Sequence, residues 1–247
     1  MIVRPDIRSD RGDHCRGQLP GVPAYGYPGT GLWERLVELP AGAVVILDPA
    51  NGPGEGPDPR YEVSVAAVRS RGVRVFGYVD TDYGRRAAGA MVEDVRRYCE
   101  WYQPVGIFFD QTPAAASTSS AIVNASCRVR EAGLALAINP GQPDIHPDDA
   151  ELADHVVDFE GTFDTYRATN FLAAWRHRYN PDKFWHLVYE VPDFNAMEEM
   201  ATLARERHAG LVYLTDATMP NPWSRLPTYW DAELALVTGP SRARRQS

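Results

Sequence analysis

The chain has 247 residues, a net charge of −8 and 44% hydrophobic residues, which excludes a disordered chain and leaves room for one large domain or two small ones. The acidic balance argues against nucleic acid or an anionic membrane as the main partner, because both attract basic surfaces. Three cysteines without a CxxC pair exclude a disulfide framework. No stretch is apolar and long enough for a signal peptide or a membrane span, so we expect a cytoplasmic protein.

Short apolar runs alternate with segments of helical period along the chain. In chain order, strands are expected at 21–27, 43–48, 73–79, 105–110, 133–139, 155–160, 184–190 and 210–215, and helices at 30–39, 60–71, 86–102, 115–131, 165–178 and 194–208. Alternation of this kind is typical of a parallel sheet covered by helices, and eight strands favour a single α/β domain with a closed (β/α)8 barrel of the TIM type. We expect the barrel over 21–233, an N-terminal arm over 1–20 and a tail over 234–247.

Polar residues stand at the carboxyl ends of seven predicted strands. They are Asp48, Asp80, Asp82, Asp110, Asn139, Glu160, Glu190 and Asp216. In this fold the active site lies where the strands end, so these side chains are expected on one rim. Clustered carboxylates repel each other, and fold stability alone does not favour collecting them. The structural alternative is that Asp110 caps the following helix and Glu160 faces solvent.

The motifs for other chemistries are missing. The sequence has no GxxxxGK[ST] phosphate loop and no GxSxG nucleophile elbow, and its histidines are scattered, so we expect no cofactor and no metal. His186 is interpreted as an inward barrel side chain. Rim aromatics are expected at Tyr25, Tyr27, Tyr78, Tyr83, Tyr166, Trp223 and Trp230. Aromatic faces stack on sugars, and two carboxyls can cleave a glycosidic bond.

Seven motifs follow one another in the barrel region: "DPANGPG" (48–54), "GYVDTDYGRR" (77–86), "VRRYCEWY" (95–102), "VGIFFDQ" (105–111), "INPG" (138–141), "ADHVVDFEG" (153–161) and "YLTDATMPNPWSRLPTYW" (213–230). In this order they resemble the spherulin-4-like proteins, whose fungal members include retaining endo-α-1,4-N-acetylgalactosaminidases of glycoside hydrolase family 135. The resemblance implies a (β/α)8 barrel with Asp110 and Glu160 at the family's catalytic acid positions.

The chain departs from the family pattern at three positions. Gln111 stands where the family usually has Glu, Asp48 where it has Asn, and Asn51 where it has Ser. Because Gln111 cannot act as an acid or a base, three functions remain open. They are a glycoside hydrolase or transglycosidase for α-linked galactose-type or amino sugars, an intracellular tailoring enzyme doing acid–base chemistry on a small biosynthetic intermediate, and an inactive sugar-binding member.

Each candidate residue has an expected role. Asp110 directly follows the apolar "GIFF" and is expected to be the nucleophile or cation stabiliser. Glu160 lies beside Phe159 and Phe163, whose apolar rings can raise its pKa, and is expected to be the acid/base. The residues expected to bind a carbohydrate or another small polar substrate are Tyr25, Asp48, Asn51, Tyr78, Asp80, Tyr83, Gln111, Asn139, His186, Glu190, Asp216 and Trp223.

Overall fold

The computed structural model describes residues 17–142, 145–171 and 174–238. Eight parallel strands form a closed barrel in which each strand pairs with the next along the chain and the last pairs with the first. The strands are β1 Leu19–Ala24, β2 Val44–Leu47, β3 Arg74–Asp80, β4 Gly106–Asp110, β5 Ala135–Ile138, β6 His155–Thr162, β7 Phe184–Tyr189 and β8 Leu211–Leu214. The predicted (β/α)8 fold is confirmed.

Helices connect the strands on the outside of the barrel. They are α1 Leu32–Arg35, α2 Pro59–Ser70, α3 Ala88–Trp101, α4 Ser120–Glu131, α5 Pro147–Leu152, α6 Phe163–Ala168, α7 Phe194–Glu206 and α8 Trp230–Thr238. The helix expected over 165–178 is instead the short α6 followed by a 3-10 turn, Ala174–Arg178. The short α5, which Pro147 begins behind the His146 cap, and α8 were not predicted.

The observed barrel extends beyond both limits expected from the sequence. β1 begins at Leu19 rather than at residue 21, and α8 continues to Thr238 rather than ending at 233. The rest of the predicted arm, 1–16, and of the predicted tail, 239–247, lies outside the described residues.

Large rings fill the barrel interior below the mouth. The Trp185 indole crosses to β1, where its N–H donates to the carbonyl of Gly21 at 3.1 Å. A Cβ on Gly21 would lie 2.4 Å from this indole, so the ring fits only against glycine. Phe108 packs edge-on against Trp185 and is stacked on Tyr78. Since residues two apart share a face of a strand, Phe108 places Asp110 above it, at the mouth.

One strand is irregular. Val157 of β6 pairs with Trp185 of β7, but Phe159 pairs with the very next residue, His186, so Asp158 is an extra residue without a partner. This β-bulge puts Asp158 and Phe159 on the same, outer side of the barrel wall. After the bulge, Glu160 pairs with Leu187.

Candidate active site

Two carboxylates share one amide at the centre of the barrel mouth. Asp110 ends β4, Asn139 follows β5 and Glu160 lies in β6. Asn139 Nδ2 donates to Asp110 Oδ1 at 2.7 Å and to Glu160 Oε2 at 2.6 Å. These two oxygens are therefore at most about 5.3 Å apart, the sum of the two bonds. Asp110 and Glu160 thus face each other, and the helix that follows β4 is capped by Ser119 rather than by Asp110.

Asp110 is held by three donors. The Tyr78 hydroxyl donates to Oδ2 at 2.9 Å, the amide of Asn139 donates to Oδ1, and the backbone N–H of Gln111 donates to the same carboxylate. Burial raises the pKa of Asp110, while these three hydrogen bonds oppose the increase because they favour the ionised form.

Glu160 has the opposite character. Burial, followed by the nearby charge of Asp110, raises its pKa to about 7, and hydrogen bonds from Asn139 and Trp223 only partly oppose this. Near neutral pH, Glu160 is therefore poised between its protonated and ionised forms. Because both carboxylates bind one amide, ionising both is unfavourable, and the pair holds a proton more readily than two separate carboxylates would.

Asp48 is a third carboxylate of this group. It follows β2, and its Oδ1 accepts from the backbone N–H of Gly52 at 2.8 Å. Burial raises the pKa of Asp48 to about 6, the charge of Asp110 adds to this, and backbone N–H groups of the 50–52 loop oppose it. Three carboxyl groups with raised pKa thus line one mouth, as expected of a site for acid–base chemistry.

Aromatic side chains border these carboxylates. Tyr25 packs edge-on against Tyr78 at 5.7 Å between ring centroids, and its pKa is raised well above the ordinary value by burial and then by the charge of Asp110. On the other side, Trp223 contacts Tyr189 edge-on at 5.9 Å. Tyr189 was not predicted from the sequence; it shares the inner face of β7 with Trp185, four residues before it.

The loops of the mouth carry most of the backbone strain. Seven non-glycine residues among those described have a positive φ, and five of them follow the strand ends of β2, β3, β4 and β7: Asn51, Asp82, Tyr83, Gln111 and Glu190. Such conformations are costly and concentrate at functional sites. The Gln111 carbonyl accepts from Tyr83 N and from Thr81 Oγ1, both at 2.8 Å, and so ties the loop after β4 to the loop after β3.

Other predicted site residues lie at the same end of the barrel but make different contacts. Asp216 pairs with Arg225 at 2.8 Å and accepts from Thr228 at 2.7 Å. Burial alone would raise the pKa of Asp216, but these two partners outweigh it and lower the pKa. Asp80 accepts from the backbone N–H of Asp82 at 2.8 Å.

Three of the predicted binding residues are exposed on the loops of this rim. Tyr83 is 58% exposed, and the guanidinium of Arg85 lies over its ring. Asn51 and Glu190 are also exposed. Within the described residues, none of these three forms a hydrogen bond or ion pair with Asp110 or Glu160, so they lie at the periphery of the mouth.

The interpretation of His186 as an inward side chain is wrong. Trp185 occupies the inner face of β7, so its neighbour His186 points to the outside of the barrel wall. There His186 is fully buried, with the Tyr166 hydroxyl 2.5 Å from Nδ1. Tyr166, also expected at the rim, is buried in the same place, and Trp230 is buried on α8.

The described part of the chain contains neither a metal-binding cluster nor a membrane-spanning helix. No group of three or more His, Cys, Asp or Glu side chains there is arranged to hold a metal ion. None of the helices between residues 17 and 238 that the structure describes combines the length and the apolar character needed to cross a bilayer.

The fold and the mouth define a (β/α)8 barrel with a paired-carboxylate site at the ends of its strands. Residues 21–237 match the model of the spherulation-specific family 4, and the chain is 30% identical to Spherulin-4 of Physarum polycephalum over 237 residues, which cover 87% of this chain and 69% of that protein. The chain therefore belongs to the spherulin-4 family, as its seven motifs predicted.

Solved structures of the same fold include carbohydrate enzymes. Sph3 of Aspergillus clavatus, solved in complex with GalNAc, has a TM-score of 0.73 at 22% identity and covers 91% of this chain and 100% of its own. A chitinase from Chromobacterium violaceum has a TM-score of 0.57 at 12% identity, covering 89% and 99%. The PgaB glycoside hydrolase domain of Bordetella bronchiseptica has a TM-score of 0.55 at 12% identity, covering 85% and 92%. At these identities the likeness establishes the fold.

Proposed function

We propose that this protein is a glycoside hydrolase or transglycosidase that acts on an α-linked galactose-type or amino sugar through Asp110 and Glu160. The observation that carries the proposal is the shared amide of Asn139, which holds one oxygen of each carboxylate at most about 5.3 Å from the other. Retaining glycosidases keep their two carboxyl groups about 5–5.5 Å apart, whereas inverting enzymes need about 6.5–9.5 Å to admit a water molecule. The spacing favours a retaining double displacement.

The two carboxylates differ in the way that this mechanism needs. Glu160, whose pKa is raised to about 7, can carry the proton that the leaving oxygen of the glycosidic bond receives. Asp110, with its three hydrogen-bond donors, is the better anion and attacks the anomeric carbon or stabilises positive charge there. In the second half of the reaction, the ionised Glu160 takes a proton from the water that releases the sugar.

Support for the sugar class comes from the chain's relatives and from the rings at its mouth. Sph3, the neighbour with the TM-score of 0.73, was solved with GalNAc, and the chitinase and PgaB domain are carbohydrate enzymes by their descriptions. Tyr25, Tyr189 and Trp223 give the mouth apolar faces beside its hydrogen-bonding groups, the combination that sugar rings require.

A sugar-binding protein without turnover is the second candidate, and Gln111 is the observation that favours it. The Gln111 side chain has no hydrogen bond within the described residues, so it is free to bind a ligand hydroxyl or acetamide but cannot move a proton. Acid–base chemistry on a small biosynthetic intermediate would use the same Asp110–Glu160 pair on a different substrate.

The deciding experiment incubates the protein with α-1,4-linked oligomers of N-acetylgalactosamine and galactosamine, with chito-oligosaccharides as the comparison, and follows products by mass spectrometry. We expect cleavage of the galactose-type oligomers and about a hundredfold slower cleavage by Asp110→Asn, the scale of a lost catalytic carboxylate. Binding without cleavage by the wild type, measured by calorimetry on the same oligomers, would establish the sugar-binding alternative instead.

Gln111→Glu tests the departure from the family pattern. The variant restores the carboxylate without altering side-chain length, so the fold is expected to be retained. If hydrolysis needs this acid, turnover of galactosaminoglycan oligomers rises in the variant. If Asp110 and Glu160 suffice, only specificity or KM changes. No change in either binding or turnover would place the Gln111 side chain outside the site.

A further inference from the structure

Behind the candidate site, on the outer side of the barrel wall, lies a second polar group. We name Asp158, Tyr166, Arg176 and His186 the outer cluster. Asp158 and His186 are completely buried and Arg176 is 3% exposed. Arg176 Nη2 forms an ion pair with Asp158 Oδ2, and His186 Nε2 lies 3.2 Å from Asp158 Oδ1. The Tyr166 hydroxyl completes the chain at His186 Nδ1.

Stability alone is a poor reason for this arrangement. A buried ion pair is seldom more stable than apolar side chains of the same volume, because both charges lose their water. Several polar atoms of the outer cluster are incompletely satisfied: Arg176 Nε and Nη1, Asp158 Oδ1 and His186 Nε2 are buried and have no hydrogen-bond partner within the described residues. Aromatic rings surround the rest of the Arg176 guanidinium: its carbon lies 4.6 Å from the ring centroid of Phe184 and 5.2 Å from that of Phe171.

The position of Asp158 in the sheet explains why a buried ion pair is placed here. Asp158 is the extra residue of the bulge, and it shifts the alternation of every residue that follows it in β6. Val157 pairs with the inward Trp185, and Glu160 pairs with Leu187, two residues further on and hence also inward. In a regular strand the residue three positions after Val157 would face outward. Glu160 reaches Asn139 and Asp110 only because the bulge is present.

We propose that Asp158 is a positioning residue, and that its buried contacts with Arg176 and His186 fix the bulge that turns Glu160 into the barrel mouth. The Asp158 carboxylate contacts two other elements: His186 of β7, whose Nε2 lies 3.2 Å from Oδ1, and Arg176 of the 3-10 turn Ala174–Arg178, with which it forms an ion pair. Phe159, displaced to the outer side by the bulge, packs against Tyr166 at 4.6 Å and adds an apolar anchor. The catalytic consequence of this inference rests on the proposed function.

The main test replaces the ion pair by apolar residues, Asp158→Val with Arg176→Met, so that no single charge remains buried. Valine favours a regular strand, which turns residue 160 outward. We expect turnover of the galactosaminoglycan oligomers to fall about a hundredfold with KM little changed. In a crystal structure of this variant, the Glu160 carboxylate should have left Asn139 Nδ2, from which it lies 2.6 Å in the wild type.

Deleting residue 158 in the Arg176→Met background is the matched rescue. The pairings on both sides of the bulge, Val157 with Trp185 and Phe159 with His186, are retained, so Glu160 still faces inward on a regular strand. Turnover should recover to within about tenfold of the wild type. Asp149→Asn is the control for burial, because Asp149 is completely buried on α5 and binds the backbone N–H of Ser117 away from the bulge. It should leave kcat unchanged.

The outcomes are separable. A double variant that keeps the Glu160–Asn139 contact and near wild-type turnover overturns the proposal. If the double variant does not fold, Arg176→Lys and Arg176→Met decide: the proposal requires the charge-keeping variant to be at least tenfold more active at equal folded fraction. If the wild type cleaves none of the oligomers, the proposed function fails, whereas the crystal structures still test the positioning of Glu160.

Discussion

Replacing Glu160 by glutamine should abolish the proposed activity and at the same time stabilise the fold above neutral pH. Glutamine has the shape of a protonated glutamate, so its carbonyl can still accept from Asn139, while it can neither donate nor take up a catalytic proton. We expect turnover to fall about a hundredfold. The stability change follows from the environment of Glu160, which burial and the charge of Asp110 make unfavourable for a carboxylate.

The magnitude follows from the pKa. Glu160 shifts from an ordinary value of 4.5 to about 7 in the folded protein. Because the folded value is the higher one, the contribution of Glu160 to stability is fully present below pH 4.5 and is lost as the pH rises through 7. At about 1.4 kcal/mol per pKa unit, the loss is at most about 3 kcal/mol. Glutamine avoids the loss, which for a domain of this size corresponds to a Tm gain of about 6–12 °C at pH 8.

Scanning calorimetry of the wild type and Glu160→Gln at pH 4.5 and pH 8 measures this difference. Glu190→Gln is the matched control, since Glu190 follows the neighbouring strand but is exposed, and its neutralisation should change stability by less than about 0.5 kcal/mol. A gain under 2 °C at pH 8, or one of equal size at both pH values, would show that Glu160 is not held in a charge-disfavouring site.

Two further changes test the neighbours of this carboxylate pair. Asp48→Asn should also stabilise the fold at pH 8 and not at pH 3.5, because the pKa of Asp48 is raised to about 6. The gain should stay at about 1–2 kcal/mol, since an amide replaces only part of the carboxylate's hydrogen bonds to the 50–52 loop. Calorimetry that finds no gain at pH 8 would contradict this prediction. Tyr78→Phe removes the hydrogen bond that lowers the pKa of Asp110, so the acid limb of the kcat/KM profile should move to higher pH; an unmoved limb would mean that Asp110 is not the group that must be ionised.

The barrel was predictable because its signals are local and repeated. Each strand is a short apolar run, and each long helix has its own period, so errors at single elements do not change the topology. The elements that escaped are those with weak local signals. The six-residue α5 is too short for a period to be seen. The predicted limit at residue 233 cuts through α8, "WDAELALVT", although its side chains Trp230, Glu233 and Val237 are buried.

The central carboxylates were predictable for a different reason. The carboxyl ends of the parallel strands line the mouth of the barrel, so a carboxylate at such an end lies at the mouth. Asp110, Asn139 and Glu160 meet there. The direction in which a strand side chain points is harder to predict from sequence than which strand ends lie close together. Nothing in "FWHLVYE" tells which of Trp185 and His186 points inward, and "HVVDFEG" does not show that Asp158 bulges. The misplacement of His186 therefore reflects tertiary packing, in which the larger ring takes the barrel interior.

Gln111 and Asp48 are best understood together. Relative to the pattern of the family that its motifs resemble, the chain has Gln111 in place of a glutamate after β4 and Asp48 in place of an asparagine after β2. The structure keeps the backbone function of position 111, because its N–H binds Asp110 and its carbonyl binds Thr81 and Tyr83 whatever the side chain is. Asp48 meanwhile couples electrostatically to Asp110 and has a raised pKa of its own. The mouth thus keeps its number of carboxyl groups while one of them changes strands. If the proposed function holds, this exchange leaves the Asp110–Glu160 pair intact and alters the side from which a substrate's hydroxyl or amino groups are bound. We therefore expect it to change which sugar is recognised, and the turnover of Gln111→Glu tests this against a requirement of hydrolysis for the missing acid.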